Sequence, residues 1–190
     1  MTDLLEVTLR VVAALDASGI PYTVGGSLAS SFSGEPRASI DADILVDMTA
    51  VQVQPFVDVL ADEFYADADG LRRAVVEHGT TNLIHRTSGI KIDLFVAHSY
   101  LDTRQLERRR QVRVADNPDR FLYLHSPEDI LLQKLHWYTL GGEVSDRQWR
   151  DVRGVLVRQG NRLDRDYLAA TAQRVGLTDL LERAYRETHE

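Results

Sequence analysis

"VGGSLASSFSGEPRASIDADILVDM", residues 24–48, sets two glycines and a serine ahead of a short helix, then two aspartates one residue apart at the head of an apolar strand. Alternate side chains of a strand share a face, so Asp41 and Asp43 point the same way. Like charges held side by side are unfavourable unless a cation neutralises them or one is protonated, and a divalent ion supplies that cation. Gly25 and Gly26 stand where a strand turns into a helix. A backbone without Cβ lets phosphate oxygens approach, the helix start offers amide hydrogens and a favourable dipole, and Ser27 adds a hydroxyl donor.

Further along, "KIDLFV" (91–96) embeds Asp93 between Ile92 and Leu94. A carboxylate inside a buried strand is costly without a partner. If this strand lies beside the one carrying Asp41 and Asp43, three carboxylates share one edge. Magnesium takes oxygen ligands, keeps waters and bridges substrate phosphates, so the trio suits nucleotide chemistry better than a closed structural cage. Two Mg2+ ions, with Mn2+ as the substitute, would serve an in-line phosphoryl displacement.

Around these motifs the periodicity predicts helices over 3–18, 27–32, from near 50 to about 64, 71–78 and 103–110, with the start near 50 left open by Pro55. Strands are expected at 22–24, 40–48 and 64–66, as a hairpin over 82–96, and at 111–115 and 120–125. "SPEDILLQKLHWYTLGG" opens with helix-start residues and closes on a glycine pair, predicting a helix over 127–140. Beyond it only helices are readable, at 145–159, 164–175 and 177–187. The expectation is an α/β (α+β) fold: an α/β core over residues 1–125 and a C-terminal helical region over 126–190.

Apolar residues make up 44% of the chain and charged residues 27%, ordinary globular usage that excludes a disordered or fibrous class. Without cysteine there are no disulfides, thiolate zinc sites or thiol nucleophile, so a metal must be held by carboxylates or histidines. A net charge of -7 argues against broad nucleic-acid coating. The arginines at 104, 108, 109, 110 and 113 read as a solvated helix end next to a strand. No window approaches the roughly 20 apolar residues of a membrane span, and the amphipathic, acidic N-terminus is unlike a signal peptide, so the expected location is cytoplasmic with no membrane partner.

The stretches "GGS", "DADILV" and "KIDLFV", in this order, resemble the nucleotidyltransferase superfamily built around the DNA polymerase beta-like core. "SPEDILLQKLHWY" followed by "SDRQWRDV" looks like the downstream helices of AbiEii-type and related minimal nucleotidyltransferases, some of them toxins of two-gene systems. The resemblance covers about residues 20–155 and implies a mixed sheet flanked by helices with a C-terminal helical bundle. It implies metal-dependent transfer of a nucleoside monophosphate from a nucleoside triphosphate to a hydroxyl on RNA, protein or a small molecule. A cognate antitoxin is an implied partner. Carried over by motif, Gly25, Gly26, Ser27 and Lys134 bind the triphosphate, while Asp41, Asp43 and Asp93 hold magnesium and Asp93 assists deprotonation. Asp146 and Asp151 match acids of the next helix, and Arg37 falls where relatives carry a basic residue. The alternative from another class is a catalytically silent nucleotide-sensing or partner-binding module.

Other readings fail on spacing. An EF-hand frame around Asp67, Asp69 and Gly70 would put Tyr65 and Val76 where acids are required. The histidines lack paired helical spacing for zinc, and the glycine turn is neither a phosphate loop nor a dinucleotide fingerprint. Trp137, Tyr138 and Trp149 read as core aromatics rather than a stacking platform.

Overall fold

The computed structural model describes residues 3–35, 39–116 and 118–189. Arg37 lies outside them. Helix α1 (Leu4–Ala17) opens where the Asp3 carboxylate accepts the Glu6 amide and closes at Gly19, whose φ of 62° a side chain would disfavour. Strand β1 (Tyr22–Val24) leads through Gly25 into α2 (Gly26–Ser33), and β2 (Asp41–Val46) follows. A 3-10 turn at Ala50–Gln52, held by the Thr49–Gln52 capping box, feeds α3 (Val53–Leu60). Pro55 sits in the first turn of α3, where its missing amide has no helical partner to lose. This helix stops at Leu60 rather than reaching 64.

Next come β3 (Phe64–Ala66) and α4 (Ala68–Glu77), capped by the carboxylate of Asp67, which thereby serves helix initiation. The hairpin β4 (Thr80–His85) and β5 (Lys91–Val96) precedes α5 (Tyr100–Glu107). Helix α5 begins three residues before the expected 103 because Ser99 and Asp102 form a reciprocal capping box. Strands β6 (Arg110–Asp116) and β7 (Asp119–Leu124) lead to α6 (Pro127–Leu140), which has the bounds its start and stop residues predict. Helices α7 (Asp146–Gln159), α8 (Arg165–Val175) and α9 (Thr178–His189) complete the chain.

Among the described residues the strands form one seven-stranded sheet in the order β3-β4-β5-β2-β1-β7-β6. The β2–β5 and β1–β7 pairs are parallel and the remaining pairs antiparallel, giving a mixed α/β sheet with helices packed against it. On β2 and β5, Ala42, Ile44, Ile92 and Leu94 are fully buried while Asp41, Asp43, Lys91 and Asp93 alternate with them on the other face. The core runs from Val7, Val11 and Leu15 of α1 through Phe56 of α3 and the sheet to Leu131 and Leu135 of α6. Helix α6 shows little one-sided apolarity because even Glu128, Asp129 and Lys134 are buried.

Those acids explain Arg108 and Arg110, which are ion-paired rather than a merely solvated helix end, whereas Arg113 stays exposed and pairs with Asp116 and Asp119. Arg110 and Arg108 lie 3.3 and 3.6 Å from Glu128, and Arg108 also covers the Tyr167 ring at 3.7 Å. Glu128 further accepts the Asp164 amide at 3.0 Å, tying the start of α8 to α6. The Tyr167 hydroxyl donates to Asp129 at 2.5 Å, and burial pushes the Asp129 carboxyl up. Removing one member of a buried ionic set leaves the others uncompensated. Glu128→Ala should therefore lower the unfolding free energy by about 3 kcal/mol. Asp166→Ala on the exposed start of α8 should cost less than about 1 kcal/mol, and denaturant titration compares the two.

Candidate functional site

The backbone pins the glycine turn to the paired acids. Strand β1 lies antiparallel to β2 with Val24 opposite Ile44, and the Gly25 amide donates to the Asp43 carbonyl at 2.9 Å. Gly26 then adopts φ 57° and packs against the Asp43 side chain so closely that a Cβ there would collide with the carboxylate. Glycine is required at 26 on both counts. From α2 the Ser27 hydroxyl accepts from Arg147 of α7 at 2.9 Å.

Parallel pairing sets Asp43 directly opposite Asp93 and Asp41 opposite Lys91. The three expected acids thus share one face of two adjacent strands. Lys91 stands among them, its ammonium 2.8 Å from the Asp93 carboxylate. Burial, then the charges of Asp41 and Asp93, push the Asp43 carboxyl up from 3.8 to about 6, with Lys134 and Lys91 pulling the other way. Lys134 is 3% exposed, lies 3.0 Å from Asp151 and stands 5.7 Å over the Trp137 ring. Asp151 is therefore a buried partner rather than helix-surface charge, whereas Asp146 is exposed.

Among the described residues no three His, Asp or Glu side chains are gathered closely enough to ligate one ion together. Magnesium does not require three, since it is bound through one or two carboxylates and completes its shell with waters and substrate phosphates. The facing pair Asp43 and Asp93 fits that demand, and the raised Asp43 carboxyl marks a place where added positive charge is favourable.

A cavity of about 190 Å³ begins at Gly25 and Asp43 and continues along Leu45 and Phe95 to Gln133, His136 and Trp137 of α6. His125 closes the side next to Gly25. It is 2% exposed, and burial pushes its imidazole down to about 4, so it is neutral at pH 7. Gln133 is close enough to favour its protonation, yet neither ring nitrogen has a partner of hydrogen-bonding geometry. Trp137 lines this cavity beside Phe95, ring centroids 6.0 Å apart, while Tyr138 and Trp149 pack on each other at 5.1 Å.

Sequence reasoning passed over Lys91, Arg147, Gln105, Gln133 and the setting of His125. Lys91 was legible, two residues before Asp93 and so on its face. Arg147 and the cavity residues carry no local signal, because tertiary packing alone brings them in.

No protein-family model matches the chain, and no curated protein matches it. Solved structures do. An antigenic nucleotidyltransferase-like protein from Paracoccidioides brasiliensis is similar at TM-score 0.57 and 20% identity, over 97% of this chain and 93% of that one. ANT(2'')-Ia in complex with adenylyl-2''-tobramycin is similar at 0.53 and 13%, over 92% and 99%. The lincosamide antibiotic adenylyltransferase LnuA, lincomycin-bound, is similar at 0.51 and 13%, over 78% and 93%. At these identities the likeness is one of fold: a mixed sheet with helices packed against it.

A carboxyl raised in the native state stabilises the fold fully below its unfolded value and loses that contribution as pH rises through the native one. For Asp43 the window runs from about 4 to about 6, so at neutral pH its ionised form costs about 3 kcal/mol. In chelator at pH 7, Asp43→Asn should therefore be more stable than the parent by about 1–3 kcal/mol. Below about pH 4 the two should converge. Denaturant melts across pH test this; a variant less stable at pH 7 contradicts it.

Proposed function

We propose that this protein is a metal-dependent nucleotidyltransferase that moves a nucleoside monophosphate from a nucleoside triphosphate to an acceptor hydroxyl. The observation that carries the reading is the contact of the Gly26 backbone with the Asp43 carboxylate, itself opposite Asp93. It joins a phosphate-accepting helix start to an acid pair at one point. The nucleotidyltransferase fold of the similar structures supports it, one of them holding an adenylylated antibiotic.

Asp43 and Asp93 would hold Mg2+, or Mn2+ in its place, with Asp41 of the expected trio adding negative charge on the same face. The bound ion would supply charge neutralisation at the phosphates and polarise the α-phosphate. Gly25, Gly26 and Ser27 seat the triphosphate on the start of α2, and Lys134 adds an ammonium from α6. Asp93 takes the proton of the acceptor hydroxyl as the acceptor oxygen bonds to the α-phosphorus. The bond from α-phosphorus to the β-phosphate bridging oxygen breaks, and pyrophosphate leaves. Positioning and charge neutralisation do most of the work.

The Lys134–Asp151 pair joins the two helices that resemble AbiEii-type proteins. The sequence resemblance of these two helices is what supports placing the chain with them, with a cognate antitoxin as the partner to look for. One observation favours the silent nucleotide-sensing module instead: the Lys91 ammonium already sits on Asp93.

Three carboxylates repel a triphosphate unless a cation intervenes. Calorimetry should give tight nucleoside triphosphate binding with magnesium and at least tenfold weaker binding in chelator. With α-labelled triphosphate and a cell extract as acceptor source, label should move to product in the parent and not in Asp43→Asn. Equal affinity in chelator overturns the metal-bridged reading. Magnesium-dependent binding with no transfer selects the silent module.

A further inference from the structure

Two residues that line the cavity beside Gly25 and Asp43 carry buried polar atoms that the protein itself leaves unsatisfied. Gln105 is 1% exposed and its side-chain oxygen has no hydrogen-bond partner, and both ring nitrogens of His125 are in the same state. Both residues line the cavity, with the Gln133 amide between α6 and the glycine turn. Buried polar atoms without partners are costly, and several around one space mark a place that a polar ligand completes.

Shape and chemistry narrow the ligand. About 190 Å³ is somewhat more than the roughly 150 Å³ known to hold a benzene ring, so one ring system fits and a polymer does not. Beside the aliphatic Leu45, Val96 and Leu101, the lining includes the rings of Phe95, Trp137, His125 and His136 and the amides of Gln105 and Gln133. Faces for stacking with edges for hydrogen bonding is how proteins take up an unpaired base. Of the three acids Asp43 alone lines the cavity, which runs along β2 and β5 away from Asp41 and Lys91. That leaves the Asp41–Lys91–Asp93 side for an incoming acceptor.

We propose that this cavity receives the nucleobase of the triphosphate, with Gln105, Gln133 and His125 reading its edge and Trp137 and Phe95 giving it a face. The inference rests on the nucleotide-transfer reading above. It makes base preference a property of α5, α6 and the residue after β7, separate from the phosphate cradle on α2.

Calorimetry with the magnesium complexes of ATP, GTP, CTP, UTP and inorganic tripolyphosphate tests it on the parent, Gln105→Leu and Gln133→Leu. At least one nucleotide should bind the parent about tenfold or more tighter than tripolyphosphate, the gain expected from one stacked base. Gln105→Leu should weaken that nucleotide about fivefold and leave tripolyphosphate unchanged. Its unliganded melting temperature should not fall, because leucine removes an unpaired amide oxygen, whereas a merely structural glutamine would lower it. A parent that binds tripolyphosphate as tightly as every nucleotide overturns the inference and spares the transfer reading. So do nucleotide affinities unchanged in both variants, or an equal loss of tripolyphosphate and nucleotide. A parent that binds none of the five overturns both.

Discussion

The backbone holds Asp43 against Gly26. The Gly25 amide bonds the Asp43 carbonyl, β1 and β2 are paired up to that point, and the space a Cβ at Gly26 would need is filled by the Asp43 carboxylate. Everything else at the site is arranged around this contact. Parallel pairing brings Asp93 level with Asp43, and Lys91 and Lys134 supply positive charge on two sides. The chain holds an ionised carboxylate where burial and two like charges oppose it. The fold is less stable for it, in the manner of sites whose strain a ligand relieves.

The helices after β7 take part in the same arrangement. Helix α6 starts on buried acids that hold Arg108, Arg110 and the beginning of α8. Farther along α6, Lys134 meets Asp151 and Trp137 turns to the cavity. Helix α7 returns with Arg147 to the Ser27 hydroxyl. Two helices remote in sequence therefore close over the glycine turn, which neither strand nor α2 could enclose alone.

Much of this was legible in residues 24–48 and 91–96, because its signals are local. Period-two alternation places Asp41 and Asp43 on one face, glycine pairs mark turns, and Ser126-Pro127 starts a helix at the expected residue. The start of α5 was misplaced because the Ser99–Asp102 capping box outweighs the apolar spacing farther on. Arg108 and Arg110 were misread for a different reason: their partners, Glu128 and Asp129, read as ordinary first-turn acids until the fold buries them. Lys91 was available from strand periodicity. Arg147, Gln105 and His125 were not, since the glycine turn and the β2 residues they join lie tens of residues away.

The central claim is that Asp43 and Asp93, with Gly26 beside them, bind a divalent ion together with a triphosphate. Substoichiometric manganese added to the isotope-labelled protein with nucleoside triphosphate, followed by amide NMR, tests it most directly. Paramagnetic broadening should centre on residues 26, 41–43 and 93, fade along β2 and β5, and vanish when excess magnesium is added. Broadening centred elsewhere, or none at the β2–β5 acids while the triphosphate is bound, would contradict the account.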